Sequence, residues 1–321
     1  MKNEYAGVLF IGDPHLTSRV PGYRRDEYPT VILEKLEWCL TYATQENLLP
    51  AILGDLFHYP RDNANWLLAR TINLLSQTRV LGIFGNHDYN DATLREDDSF
   101  SVVDAAGVLE RVDVRPWTGT LGGRPAVIGG SSHGRKFPDA FDRPSPDALV
   151  FWMTHHDLLI PGYEEAGRVK PRDIAGIDAV INGHIHRNLA DVRCGQTLYL
   201  TPGNIARVNR SDASAQHTPC VLRVDVTTQA AGDGQPGWTC TRVPVPHKPF
   251  AEVFHEAIAD QPVAEGTSSF ISGLAELQAR ATGGGEGLLL FLERNCTGFS
   301  PEVRAQINEL ANEVIHGTDE E

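Results

Sequence analysis

Val80-Leu81-Gly82-Ile83-Phe84-Gly85-Asn86-His87-Asp88 reads as a buried strand that hands an amide, an imidazole and a carboxylate to the turn at its end. Open α/β sheets place ligands outside the carboxyl ends of such strands. Taken alone, Asn-His-Asp is more often just a turn held by its own side chains. Four further loops change the weighing, because each follows a strand-like run and offers residue types that hard or borderline metals use. They are Asp13-Pro14-His15, Gly54-Asp55, His155-His156 and Gly183-His184-Ile185-His186.

Working outward, Gly7-Val8-Leu9-Phe10-Ile11 is a strand ending at Asp13, which on its own is also a turn or helix cap. The loop from Leu16 to Tyr28 carries Arg19, Arg24 and Arg25 and reads either as a solvated excursion or as a phosphate-contacting flap. Leu33, Leu36, Leu40 and Ala43 recur at helical spacing and return the chain to the strand Ala51–Leu53. A helix from about Asn63 to Gln77, with Leu67, Leu68, Ile72 and Leu75 inward, leads to the opening strand. Two successive strand-helix-strand units predict parallel pairing with right-handed crossovers.

From Ser99 to Arg135 the pattern predicts a helix around Val102-Val103, a strand at Val108-Leu109 and a strand at Ala126–Ile128 that leads towards His133, which could approach the site but is read first as a surface histidine. Leu149–Thr154 and Ile177–Ile181 are apolar strands that end in the histidine loops. Then come consecutive strands, Thr197–Thr201, Pro219–Val226 and Trp238–Val243, read together as a second sheet packed on the first. Three prolines in Pro244–Pro249 read as a linker. They divide the chain into a domain of residues 1–246 and a small acidic one of residues 247–321, the latter with a helix near Ser269–Ala281, a strand Leu288–Leu292 and a helix capped by Ser300.

At 321 residues the chain is long enough to bury a large core. No stretch reaches the 18 consecutive apolar residues of a membrane span, and Met1–Tyr5 leads straight into a strand, so the expected location is cytoplasmic with no membrane partner. Five widely spaced cysteines without a C-x-x-C pair read as reduced packing residues rather than disulfides or thiolate zinc ligands. The net charge of −14 argues against strong unaided binding to nucleic acid, but it is divided unevenly: −5 over residues 1–246 and −9 over residues 247–321. A phosphate-rich ligand would meet the first part, and the acidic end solvent or a protein.

Asp13, His15, Asp55, Asn86, His87, His155, His184 and His186 together suit two divalent ions bridged by a shared carboxylate. Oxygen and imidazole without thiolate point to manganese, with iron or zinc as alternatives. The order D-x-H, G-D, G-N-H-D, H, G-H-x-H resembles the calcineurin-like metallophosphoesterase superfamily over about Gly7 to Pro202. The resemblance implies an α/β fold, a four-layer αββα sandwich of two mixed sheets flanked by helices, with a small C-terminal α/β cap. It implies that Asp13, His15, Asp55 and His186 hold one ion, and Asp55, Asn86, His155 and His184 the other. His155 is taken over His156 because the family's histidine immediately follows its strand. His87 would be the catalytic histidine, oriented by Asp88.

Gly54-Asp55-Leu56-Phe57-His58, with histidine three residues after the bridging aspartate, resembles the SbcD/Mre11 nuclease branch rather than the phosphoprotein phosphatases. By that resemblance His58 helps handle DNA at the metals; otherwise it is an ordinary loop histidine. The expected function is a Mn²⁺-dependent DNA exonuclease or endonuclease acting in DNA repair or processing, with an SbcC/Rad50-like ATPase as partner and a homodimer left open. The alternatives are a small-molecule phosphodiesterase, on cyclic nucleotides for example, or phosphatase, and a non-catalytic scaffold, which should have lost ligands; none is missing here.

Overall fold

The structure, a computed structural model, describes residues 3–21, 24–90, 93–227, 237–255 and 303–307. Met1–Phe254 forms one compact unit and His255–Glu321 a second. The chain runs β1 (Glu4–Tyr5), β2 (Gly7–Ile11), α1 (Tyr28–Gln45), β3 (Leu48–Ile52), α2 (Asn65–Leu75), β4 (Leu81–Gly82), α3 (Ser99–Ala105) and β5 (Glu110–Arg111). It continues through β6 (Trp117–Leu121), β7 (Arg124–Ser131), β8 (Leu149–Thr154), β9 (Ala179–Asn182), β10 (Val192–Cys194) and β11 (Thr197–Leu200). Last come α4 (Asp212–Gln216), β12 (Cys220–Val226), β13 (Trp238–Pro244) and α5 (Phe250–Val253).

Two mixed sheets result, one ordered β13-β12-β2-β3-β4-β5 and the other β1-β6-β7-β8-β9-β11-β10. The first is parallel from β2 to β5, the second from β7 through β9 to β11. The α/β sandwich expected from the resemblance is the observed fold. Val8, Phe10, Leu49 and Ala51 of one sheet share a buried core with Ile128, Phe151, Met153 and Ile181 of the other. The opposite face of β2 and β3, with Leu9, Ile11, Leu48 and Ile52, packs against Ile32, Leu36 and Leu40 of α1 and Leu67 and Leu75 of α2. Beyond the second sheet, Val150, Trp152 and Val180 are covered by the loop residues Leu158, Ile160 and Ile174.

The apolar spacing of α1 buries Leu33, Leu36, Leu40 and Ala43 as its pattern predicts, and Pro29 sits in the first turn, where a missing N–H costs nothing. In α2 the inward face is rotated from the expected one: Leu67, Thr71, Leu74 and Leu75 are buried, while Leu68 and Ile72 are half-buried. The strand expected at Val108-Leu109 begins only at Glu110; Leu109 is a core residue whose side chain packs over Gly82.

The three late strands do not form a sheet of their own. β11 follows β9 as its parallel neighbour, whereas β12 turns back to pair antiparallel with β2 and carries β13 with it. The physical reason is edge satisfaction: β2 would otherwise present an unpaired backbone edge in the centre of the molecule. Past Pro246 the chain stays packed on this unit, with Val253 and Phe254 buried. The elements expected between Ser269 and Val314 lie outside the described residues, except that 303–307 are helical. No helix among the described residues is long and apolar enough to cross a membrane.

Candidate metal centre

Five loops at the carboxyl ends of β2, β3, β4, β8 and β9 meet at one place. Six described non-glycine residues have positive φ, and four of them are here: Asp13 (38°), His15 (48°), Asp55 (47°) and His184 (67°). Left-handed backbone at such residues costs of order 1 kcal/mol or more each and persists only where the surroundings hold it. Gly54, at φ 98°, and Gly85 let the loops close in: a Cβ on Gly85 would lie 2.1 Å from Asp55 Oδ1, and one on Gly54 2.4 Å from His155 Nδ1. No larger residue fits either place.

Asp55 is the hub. Its Oδ1 accepts the His87 backbone N–H at 2.8 Å, while Oδ2 lies 3.3 Å from His155 Nε2 and 3.6 Å from His15 Nε2. Asp55, His15 and His186 each bring one ligand atom within 4.8 Å of the others, and so do Asp55, Asp13 and His155. A third such group is His15, His58 and His87.

The proton accounting indicates what belongs between them. His155 Nδ1 donates to the Leu53 carbonyl at 2.7 Å, so Nε2 carries a lone pair, yet it faces Asp55 Oδ2 and, at 3.1 Å, Asn86 Oδ1. His184 Nε2 donates to Asp157 Oδ1 at 2.8 Å, which turns the lone pair of Nδ1 towards the same Asn86 oxygen, also 2.8 Å away. His15 Nε2 and His186 Nε2 approach to 2.9 Å. Asp13 Oδ2 and Asp55 Oδ2 are buried without a hydrogen-bond partner. Acceptors facing acceptors in a buried site call for a cation, and this donor set of carboxylate, amide oxygen and imidazole fits two divalent ions.

Protonation agrees with that reading. Burial pushes His15 well below the usual histidine range and His186 down to about 3, so both rings are neutral at pH 7, as metal ligation would require. Burial and the neighbouring Asp55 hold the Asp13 carboxyl well above its ordinary value. Asp55 is pushed the other way: against the desolvation of burial, His155, His15 and His87 keep it well below.

His87 donates from Nδ1 to the backbone carbonyl of His58 at 2.9 Å, and the His58 ring stacks on it at 5.3 Å and 17°. Burial lowers His58 to about 4, so this neighbour is an uncharged ring. The expected orienting role of Asp88 is corrected: its two oxygens accept the backbone N–H groups of Phe57 (2.9 Å), Gly85 (2.8 Å) and Leu56 (3.2 Å), so Asp88 fastens the Asp55 loop to the Asn86 loop and leaves His87 to the His58 carbonyl.

The fold brings in residues that sequence reasoning left aside. His133, read as a surface histidine, is half-buried, stacks on His184 at 5.9 Å and 27°, and meets Tyr89 Oη at 2.7 Å. Burial, then His155 and His184, lower it to about 4. Asp157 fixes the tautomer of His184 and receives the Tyr163 hydroxyl at 3.1 Å. Its place directly after His155-His156 was the one available signal. His156 turns away, with Nε2 2.8 Å from the Arg135 carbonyl. Arg24 is no flap residue; it is buried against Asp26 and Tyr28.

The family model for calcineurin-like phosphoesterases matches residues 7–188, a span that contains every site residue named above. Among solved structures, a hypothetical protein from Thermus thermophilus is similar at 16% identity and a TM-score of 0.39, over 74% of this chain and 99% of that one. A conserved uncharacterized protein from Streptococcus pneumoniae, a predicted phosphoesterase, is similar at 12% identity and a TM-score of 0.30, over 73% and 96%. Vacuolar protein sorting 29 from Cryptosporidium parvum is similar at 11% identity and a TM-score of 0.32, over 74% and 97%. No curated protein matches the chain.

Proposed function

The chain belongs to the calcineurin-like phosphoesterase family, whose members use dinuclear metal sites, and from that membership we propose that it is a Mn²⁺-dependent phosphodiesterase of the SbcD/Mre11 nuclease type, with DNA as substrate. That it is a metal-dependent phosphoesterase follows from the family; the substrate is our reading. The observation that supports it best is the pairing of His58 with His87, because the G-D-L-F-H form that resembles the nuclease branch places its histidine against the proposed catalytic ring.

In this reading Asp13, His15, Asp55 and His186 hold one ion, and Asp55, Asn86, His155 and His184 the other. Divalent ions held there would supply Lewis-acid polarisation of a phosphoryl oxygen and a water activated as nucleophile at neutral pH. The protein's own groups do the rest. Leu53 and Asp157 take the distal N–H of His155 and His184, which fixes both tautomers with lone pairs inward. The His58 carbonyl holds Nδ1–H of His87, so Nε2 is the atom that faces the leaving oxygen and, when the ring carries a proton on both nitrogens, gives it that proton. Asp88 keeps that loop in place through three backbone amides. Residues 247–321, with their −9 charge, are the proposed contact for an SbcC/Rad50-like ATPase.

The test is hydrolysis of end-labelled linear DNA with Mn²⁺, alongside bis-p-nitrophenyl phosphate and with His87→Ala as the blank. Cleavage that falls about 10²–10⁴-fold in the variant, while metals still bind, is the expected result. Turnover of the small diester with DNA left intact and unbound would replace the nuclease by a small-molecule phosphodiesterase.

A further inference from the structure

Beside the metal centre lies a pocket of about 490 Å³ lined by Arg135, Lys136, Lys170, Arg172, Phe137 and His156, with Gly134, Val169 and Asp139 at its margin. In a chain of net charge −14 it gathers four cations around a single carboxylate. Arg172 is paired with that carboxylate, Asp139, at 2.9 Å. Arg135, Lys136 and Lys170 are exposed, and their side chains have no hydrogen bond or ion pair among the described residues. Exposed cations gathered around one concavity raise its local positive potential.

The position of the pocket is as informative as its charge. Its lining starts one residue from the metal centre on two separate loops: His156 follows His155, and Gly134 follows His133, whose ring stacks on His184. His156 ties the loops together, because its Nε2–H donates to the Arg135 carbonyl at 2.8 Å. That leaves Nδ1 of His156 as an acceptor, and it is buried without a partner in a side chain only 8% exposed. A ligand here would meet three cations that the fold leaves unpaired, which is the complement of a phosphate.

We propose that this pocket is a second phosphate subsite, which holds the phosphate neighbouring the scissile one while the metal centre holds the reacting group. The proposal rests on the phosphodiesterase reading above and extends it to substrates with at least two phosphates in a chain. It also accounts for how a strongly acidic protein engages a polyanion: the contact is confined to one cationic pocket in the less acidic part of the chain.

The test uses the full-length chain with Mn²⁺ and its Arg135→Ala/Lys170→Ala variant. Binding of a fluorescein-labelled single-stranded oligonucleotide is followed by anisotropy over a range of salt, and turnover of bis-p-nitrophenyl phosphate, which has only one phosphate, is measured in parallel. The expected result is a Kd raised about tenfold or more and a salt slope reduced by about one to two, a loss at least tenfold larger than any loss of diester turnover. Three outcomes overturn the subsite: no binding by the wild type, equal binding by the variant, or equal loss of both readouts, which would make the pair part of the centre or of the fold. Failure of the phosphodiesterase reading would be visible separately, as absence of diester turnover in the wild type.

Discussion

Two buried charged regions of this protein behave in opposite ways. Around Asp55, carboxylates and imidazole lone pairs face one another, and Asp13 Oδ2 and Asp55 Oδ2 are buried without partners. Around Arg24 the buried charges are cations, and each has its partner. Arg24 makes a bidentate pair with Asp26 at 2.8 and 2.7 Å, donates to the Arg207 carbonyl and lies over the Tyr28 ring. Arg207 donates to the carbonyls of His217 and Lys248 at 2.9 Å each, and Lys35 to that of Ile205 at 3.0 Å. The second cluster fastens residues 204–217 and the segment around 248 to α1 using groups the chain already owns. The first is complete only with something the chain does not encode. Buried charge therefore marks function here only where its hydrogen-bonding accounts stay open.

The largest effect expected from that contrast is at the hub. Asp55→Ala removes the shared carboxylate and should abolish turnover, with a loss of at least about 10³-fold, while unfolding in urea shifts little in metal-free buffer. Next comes the closed cluster: Arg24→Leu leaves Asp26 unpaired and should cost about 3 kcal/mol in urea unfolding without changing metal content. Asp157→Asn sits between the two kinds of region. It keeps the fold but weakens the brace behind His184, so metal affinity measured by competition with a chelator should fall about 10–100-fold.

The smallest effect is a pH dependence. Burial, then Arg24 and Arg207, push the Lys35 ammonium from its ordinary 10.5 to about 8. Between these values the unfolded chain binds the proton and the folded one does not, so stability gained from this group rises with pH through that window and its full cost remains below pH 8. Lys35→Met should stabilise the protein by of order 1 kcal/mol at pH 7, with the gain shrinking towards pH 10. A gain that did not change with pH would place the effect in packing rather than in charge.

Much of the fold was legible because β2, β3, β7, β8 and β9 are apolar runs and α1 has a clean inward stripe. The sheet assignment was not, since nothing local in β12 says that its partner is β2, more than 200 residues earlier. The opening strand is shorter than its apolar run for a specific reason. The Phe84 backbone leaves the ladder to bond across to the other sheet, its N–H to Ser132 Oγ and its carbonyl to the His133 N–H, which aims Gly85 at Asp55. β6 was missed because Gly119 interrupts Trp117–Leu121, where a Cβ would lie 2.3 Å from the Trp117 ring. The proposed ligands were visible as residue types at strand ends; Asp157, His133 and Tyr89 were not, because only the folded sheet brings them behind His184.

Metal content of the purified chain after equilibration with Mn²⁺, by plasma mass spectrometry, tests the contrast between open and closed charge most directly. The account predicts two ions per chain in the wild type, a loss of both in Asp55→Ala, and two again in Arg24→Leu. Retention of both ions by Asp55→Ala, or no bound metal in the wild type, would contradict it.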